Sequence, residues 1–200
     1  IAYTAFMTLL IPFASLEPAP WKNGGGSTTE IAIAPPGAGL ETFDWRISLA
    51  TIAASGPFSA FPGIDRTLAL VGGPGVVLEI GDEGRFVLSE DEPIVEFAGE
   101  SQVVATVGAG ATTDFNVMTR RASCHHRLGR RVLSGISEFA PRGDVTIVFL
   151  AEGESLSVSS DSERIGLVRY DAVVFDTDTV WTFETGQATV YVVDIFVNQA

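Results

Sequence analysis

The sequence predicts an all-β protein built as two related barrel-like halves, and three observations carry that prediction. Runs rich in Val, Ile, Leu and Phe recur along the chain: Trp45 to Ile52, Thr67 to Val71, Val76 to Ile80, Pro93 to Phe97, Val145 to Leu150, Ser155 to Val158, Ala172 to Phe175 and Thr189 to Val197. Each is short and bounded by Gly, Pro, Asp or Ser, as strands joined by tight turns are. No segment keeps a 3.6-residue apolar period over several turns, so no long helix is expected. The third observation is an internal repeat. TLALVGGPGVVLEI (Thr67 to Ile80) aligns with TIVFLAEGESLSVS (Thr146 to Ser159) at an offset of 79, and DEPIVEF (from Asp91) aligns with DAVVFD (from Asp171) at an offset of 80. The same hairpin-plus-strand unit in the same order points to duplication. The boundary is expected within residues 118–143, where the composition turns basic and Gly-rich.

Composition supports a real core and narrows the partners. Of the 200 residues 46% are hydrophobic and only 18% charged, with 21 Gly and 10 Pro to make turns. Twelve basic residues face twenty-five acidic ones, a net charge of −13. Nucleic-acid binders present a basic stripe to phosphate. Here the basic residues cluster only at Arg120-Arg121 and Arg127 to Arg131, which reads as a solvated turn or edge. Nucleic acid is therefore not an expected partner. A single cysteine, Cys124, excludes an internal disulfide and is compatible with a reducing compartment. Beside two histidines it reads either as a nucleophile or, by the base rate for free cysteines, as a small buried hydrophobe.

Residues 1–16 are uncharged and mostly apolar. They lack the basic region that precedes the apolar run of a secretory signal. A membrane span needs roughly 20 apolar residues, and Ser15, Glu17 and two prolines interrupt this run. No membrane partner is expected. Met7 is the expected start, with residues 1–6 upstream of it.

The histidines argue against a metal. Single-metal sites commonly take three or four His or carboxylate ligands. His125 and His126 are adjacent, and neighbours on a strand point to opposite faces.

Four other stretches carry candidate chemistry. In WKNGGGSTTE (Trp21 to Glu30), three glycines allow positive φ and close backbone approach, with Lys22 and Asn23 just before them. A Gly turn between strands and a small anion-binding mouth are both open readings. The Lys precedes the glycines and a β-like run follows, so this is not a Walker-type phosphate loop. In WRISLATI, period two places Arg46, Ser48 and Ala50 on one face and the core residues Trp45, Ile47 and Leu49 on the other. The polar face is either solvent-facing or the wall of a cavity. Its guanidinium is the fork that pairs bidentately with carboxylate. In GPFSAFPGIDRTLAL (Gly56 to Leu70), Ser59, Asp65 and Arg66 are the polar groups of an aromatic connection. Arg66 shares a face with Leu68 and Leu70, which implies partial burial and a partner anion. In DFNVMTRR (Asp114 to Arg121), Asp114, Asn116 and Met118 share one face. That face is either the polar start of a strand or a second cavity wall. No nucleophile elbow and no GxGxxG fingerprint are present.

PWKNGGGSTTEI, FDWRISLATIAASGPFSAFPGIDRTLALVGGPGVVLEI, FAGE and DFNVMTRR, in this order and spacing, resemble the HutD/Ves family. The resemblance runs from about residue 7 to the C-terminus and is strongest from Pro20 to Ile80 and from Asp114 to Arg121. It implies a cupin-type fold (a double-stranded β-helix) in bicupin form. Residues 7–117 would be the half with the pocket and 118–200 a mainly structural half. It implies a cytoplasmic bacterial protein with no metal and no cofactor. HutD members are associated with histidine utilisation as regulators that bind a pathway acid such as urocanate or formylglutamate. Ves members are linked to stress or cold response. Lys22, Asn23, Glu30, Arg46, Ser48, Ser59, Asp65, Arg66 and Asn116 lie within the matching motifs and become the candidate pocket.

The expected function is metal-independent binding of a small carboxylate. Arg46 and Arg66 would pair with its charge, Lys22 and Asn23 would close the mouth, and Ser48 and Ser59 would add neutral hydrogen bonds. One alternative is a metal-free isomerase or lyase with Glu30 or Asp65 as general base, although no residue is assigned as catalytic. Another is an interaction protein with no ligand. Edge strands of open barrels invite pairing, so a homodimer is an open expectation.

Overall fold

The structure is a computed structural model and describes residues 8–175 and 179–199. The expected start at Met7, with residues 1–6, lies outside the described residues, as does Asp176 at the end of the repeat. The described strands are β1 (Leu9–Ile11), β2 (Pro18–Pro20), β3 (Gly26–Ala34), β4 (Trp45–Ile52), β5 (Gly56–Pro57), β6 (Ile64–Gly72), β7 (Val76–Ile80), β8 (Gly84–Leu88) and β9 (Ile94–Ala98). They continue with β10 (Val103–Val107), β11 (Thr112–Arg120), β12 (Cys124–Phe139), β13 (Val145–Glu152), β14 (Ser155–Ser159), β15 (Arg164–Val168), β16 (Ala172–Phe175) and β17 (Trp181–Val197). Among the described residues no helix is long and apolar enough to cross a membrane.

The chain forms two compact units, Leu16–His125 and His126–Ala200, the second taking in the described part of Ile1–Ser15. In the first unit a six-stranded sheet, β2-β3-β4-β11-β6-β9, faces a four-stranded sheet, β5-β10-β7-β8, and every pair in both is antiparallel. Their inner faces share one core that includes Ile52, Leu68, Leu70, Val95 and Phe97 from the larger sheet and Val76, Leu78, Ile80, Val103 and Ala105 from the smaller. The result is a nearly closed barrel.

Register fixes which side chains line that barrel. Successive residues of a strand alternate between faces, so every second position of β4, β6 and β11 shares the face of the core residues Ile52, Leu68 and Leu70. Rows of opposed residues therefore cross the larger sheet. One row reads Thr28, Ala50, Asp114, Leu70; the next reads Glu30, Ser48, Asn116, Leu68, Val95; a third reads Arg46, Met118, Arg66, Phe97. The other face of β4 and β11 is also buried, at Ile47, Leu49, Phe115 and Val117. The sequence reading gave β4 one core face and left the other open to solvent or cavity. The structure buries both.

The second unit is a seven-stranded sheet in the order β1-β16-β13-β17-β14-β15, with β12 also pairing β17. Its core includes Val148, Leu150, Leu156, Val158, Val173, Phe175, Trp181, Phe183, Val190 and Val192. The repeat reappears as pairing: β6 joins β9 and β11 as β13 joins β16 and β17, and β7 joins β8 as β14 joins β15. The offset between the first hairpins needs correction. Inward residues Leu68, Leu70, Val76 and Leu78 correspond to Val148, Leu150, Leu156 and Val158, an offset of 80 rather than 79. A one-residue slip reverses every side chain, so letter similarity at 79 had matched inward with outward positions.

The segment expected to hold a boundary, residues 118–143, is mostly strand: β11 runs to Arg120 and β12 takes Cys124–Phe139. β12 escapes apolar-run reading because its residues are largely exposed or half-buried between a buried Cys124 and a buried Phe139.

The glycine stretch is a hairpin turn from β2 to β3, with Pro20 opposite Ser27. Gly24 has φ +71 and open space around it, whereas a Cβ on Gly26 would stand 2.1 Å from the Thr51 carbonyl oxygen and 3.0 Å from the Trp21 ring. Gly24→Ala is expected to cost about 1–2 kcal/mol from left-handed backbone alone. Gly26→Ala should cost more, because β3 must part from β4. Urea unfolding midpoints of the two variants check the order.

Candidate functional site

The polar residues of the three rows meet inside the first barrel. Ser48 and Asp114 are buried, at 0% and 2% exposure, and Arg66 and Asn116 are each 7% exposed. The Arg66 guanidinium is the centre. Its two terminal nitrogens donate only long bonds of 3.5 Å, Nη1 to the Ser59 carbonyl and Nη2 to Asn116 Oδ1. Three rings surround it, with its Cζ 5.0 Å from the Phe97 centroid and 5.5 Å from those of Phe58 and Phe61. Aromatic faces attract a cation but accept no strong hydrogen bond. Arg66 Nε, Ser48 Oγ and Asp114 Oδ1 are buried with no hydrogen-bond partner among the described residues.

Burial tilts the acid–base balance of this cluster. It lowers the Arg66 pKa to about 10; the charge of Asp114 works against that, and Arg46 adds to it. Arg66 remains a cation at neutral pH. Burial pushes Asp114 up to about 7, against the pull of Arg66. The lumen face therefore holds a fixed positive charge and, two rows along, a carboxyl whose pKa burial raises to about 7.

At the edge of the cluster, Arg46 Nε donates to Glu30 Oε2 at 2.8 Å. The Arg46 side chain is 11% exposed and that of Glu30 43%, so this pair stands between the buried cluster and water.

Of the nine residues proposed from sequence, Glu30, Arg46, Ser48, Arg66 and Asn116 lie in adjoining rows of one face. Ser59 is exposed and reaches Arg66 through its backbone carbonyl rather than its hydroxyl. Lys22 and Asn23 are exposed in the β2–β3 turn, where Asn23 Oδ1 accepts from the Gly25 amide at 3.0 Å. Asp65 stands on the opposite face of β6 from Arg66. It accepts from Arg121 Nη1 at 2.6 Å, and Arg121 Nη2 also donates to Glu100. Asp114 was absent from that set. Its signal was in the sequence, since it shares a strand face with Asn116. The three phenylalanines were legible only as an aromatic connection.

Two of the corresponding rows of the second unit are apolar where β13 pairs β17. Pairing across β13 and β17 puts Val192 opposite Val148, as Asn116 is opposite Leu68, and Val190 opposite Leu150, as Asp114 is opposite Leu70. The position of Arg66 is taken by Thr146, whose hydroxyl donates to Asp194 at 2.6 Å. The fold is thus built once without a buried ionic cluster, and the cluster in the first barrel is not a requirement of the architecture.

Elsewhere, Cys124 is 2% exposed, its Sγ lies 3.3 Å from the Asp44 carbonyl oxygen, and burial pushes its thiol up to about 11. It behaves as a small buried hydrophobe. Neighbouring His125 is exposed and His126 half-buried on β12. Among the described residues no three His, Cys, Asp or Glu side chains are grouped so as to hold a metal ion.

A nearly closed antiparallel barrel with a lined interior is a cupin-like fold, and comparison with solved structures agrees. A cupin 2 conserved barrel domain protein from Leptotrichia buccalis matches with a TM-score of 0.56 at 10% identity, covering 86% of this chain and 88% of that one. The family is narrower. The HutD family model matches residues 14–192, and the chain belongs to the HutD family. HutD from Pseudomonas fluorescens SBW25 matches with a TM-score of 0.78 at 29% identity, covering 96% of this chain and all of that one. The conserved protein PA5104 of Pseudomonas aeruginosa PAO1 matches with a TM-score of 0.86 at 27% identity over 95% and 99%. In sequence, Protein Ves of Citrobacter koseri is 40% identical over 129 residues, 64% of this chain and 65% of the Ves protein. The match thus spans just under two thirds of that relative. An uncharacterized 21.2 kDa protein encoded in the hutC 3′ region of Pseudomonas putida is 36% identical over 157 residues, 77% of this chain and 79% of that protein.

Two outcomes follow. At pH 8 about one Cys124 thiol in a thousand is thiolate, so a thiol reagent should react slowly with the native protein and rapidly in denaturant. Asp114 keeps its proton to higher pH folded than unfolded, so its ionisation destabilises the fold as pH rises from about 4 through 7. Asp114→Asn removes that effect. Its stability relative to the parent, from urea unfolding, should improve between pH 5 and pH 7 and level off by pH 8; an unchanged difference means that Asp114 titrates as an ordinary aspartate.

Proposed function

We propose that the first barrel binds a small carboxylate between Arg66, Ser48 and Asn116, with Arg46 at the edge of the site, and that the protein is a metal-independent cytoplasmic regulator of the HutD type. The observation that carries this reading is the pair of buried donors, Arg66 Nε–H and Ser48 Oγ–H, that lack acceptors among the described residues. Each such donor costs about 1–3 kcal/mol when left unmade. A carboxylate accepting from both removes that cost and meets the guanidinium charge in a water-poor site, where the attraction is strongest. Phe58, Phe61 and Phe97 give the apolar wall that most small-molecule sites have. That valines stand in the second unit where Asp114 and Asn116 stand in the first supports a binding role for the polar ones. It also supports reading the chain as a bicupin whose second half is structural.

The family suggests which acid. Its link to histidine utilisation favours urocanate or N-formylglutamate, and the P. fluorescens HutD structure was obtained in a formate condition. The net charge of −13 gives no long-range attraction for acids, so selection rests on these local groups. The enzyme alternative loses one of its two bases to geometry, since Asp65 stands on the opposite face of β6 and pairs with Arg121.

Thermal unfolding in the presence of urocanate, N-formylglutamate, glutamate and formate tests the reading. A ligand at 100 times its Kd adds about 2.7 kcal/mol to stability. At least one acid should raise the melting temperature in a concentration-dependent way, and Arg66→Met and Arg46→Ala should abolish the rise. Arg66→Met keeps the stem volume against the three rings. An equal rise in the parent and both variants would place the anion elsewhere, and no rise with any acid would favour an interaction protein.

A further inference from the structure

We infer that Asp114 is a working part of this site, taking up a proton when a carboxylate docks on Arg66, so that the barrel binds its ligand as the anion plus one proton. This rests on the carboxylate reading of the lumen and specifies its chemistry. Asp114 sits on β11 between Ala50 of β4 and Leu70 of β6, two apolar neighbours, and the hydrogen bond to its carboxyl comes from its own backbone amide. Its Oδ1 is buried and has no partner among the described residues. By strand parity the charged groups on its face of the sheet are Arg66 on β6, Arg46 on β4, Glu30 on β3 and Arg120 at the end of β11, whose guanidinium is bound to the Phe43 and Glu41 carbonyls; the rest of β11 offers Thr112, Asn116 and Met118 there. The facing sheet presents Val76, Leu78, Ile80, Val103 and Ala105, none of which titrates.

Arg66 is the one group whose charge opposes the effect of burial on Asp114. Arg46 is already engaged with Glu30. An anion seated on Arg66 cancels the field that keeps Asp114 ionised and adds a like charge in the same dry space. Two carboxylates cannot both stay ionised at one buried cation, so one takes a proton. Asp114, poised near pH 7 without ligand, is the group that yields. The neutral carboxyl offers an O–H donor, which its ionised form lacks. The arrangement favours ligands whose own carboxylate stays ionised.

The test is isothermal titration of the full-length protein with N-formylglutamate and with formate, whose carboxyls do not titrate between pH 6 and pH 8. Kd should weaken about tenfold from pH 6 to pH 8, the linkage expected for a group near pH 7 that becomes protonated in the complex. In two buffers of different ionisation enthalpy, uptake should be about half a proton at pH 7 and close to one at pH 8. Asp114→Asn, neutral at every pH, should hold one affinity across the range and take up no proton. If that variant does not fold, the two-buffer measurement on the parent decides alone. Binding with a pH-independent Kd and no uptake overturns the role of Asp114 and leaves the carboxylate site standing. Failure of both acids to bind at either pH overturns the site reading, and this inference with it.

Discussion

A strand gives its side chains two destinations, and β4, β6 and β11 bury both. That constraint governs the rest of the molecule. Once Ile47, Leu49, Phe115 and Val117 occupy one face, Arg46, Ser48, Asp114 and Asn116 are committed to the barrel interior by parity alone. Arg66 follows, because Leu68 and Leu70 on its side of β6 are core. No local adjustment short of a bulge can turn one of these residues back to water. The polar cluster is thus held in a position that its own hydration would oppose.

What makes this tolerable is partial compensation. The guanidinium lies among three phenylalanine rings and takes two long bonds to carbonyl oxygens, and Asp114 contributes an opposite charge at a distance. None of these satisfies Nε or the Ser48 hydroxyl. Buried polar groups in stable folds usually find partners, and these two find none among the described residues. In the second unit valines stand where Asp114 and Asn116 do, and Thr146, at the position of Arg66, donates to Asp194.

Distances along the chain hide this site, whereas the pairing register reveals it. Asn116 is 50 residues from Arg66, yet they stand on adjacent strands in neighbouring rows. Ser48 faces Asn116 across β4 and β11 in the same way. The exposed ion pairs have a different character. Asp65, Arg121 and Glu100 lie on the outer side, where a pair contributes at most about 1 kcal/mol. Adjacent letters, Asp65 and Arg66, thus belong to different chemistry.

The sequence by itself determined the all-β class, most strand positions and the family, because alternation, turn residues and motif order are local and survive in the letters. β4, β7 and β16 were legible to the residue. β12 was not, because a strand largely open to solvent carries no apolar pattern. The sequence also placed Arg46, Ser48, Arg66 and Asn116 on candidate faces. Only the tertiary structure decided that those faces are one interior surface, that Lys22, Asn23 and Asp65 are not on it, and that Asp114 is. The physical reason is that burial and charge coupling are properties of neighbours in space. A carboxyl flanked by Ala50 and Leu70 and within the field of Arg66 differs from one in solvent, and nothing in its own segment of chain records the difference.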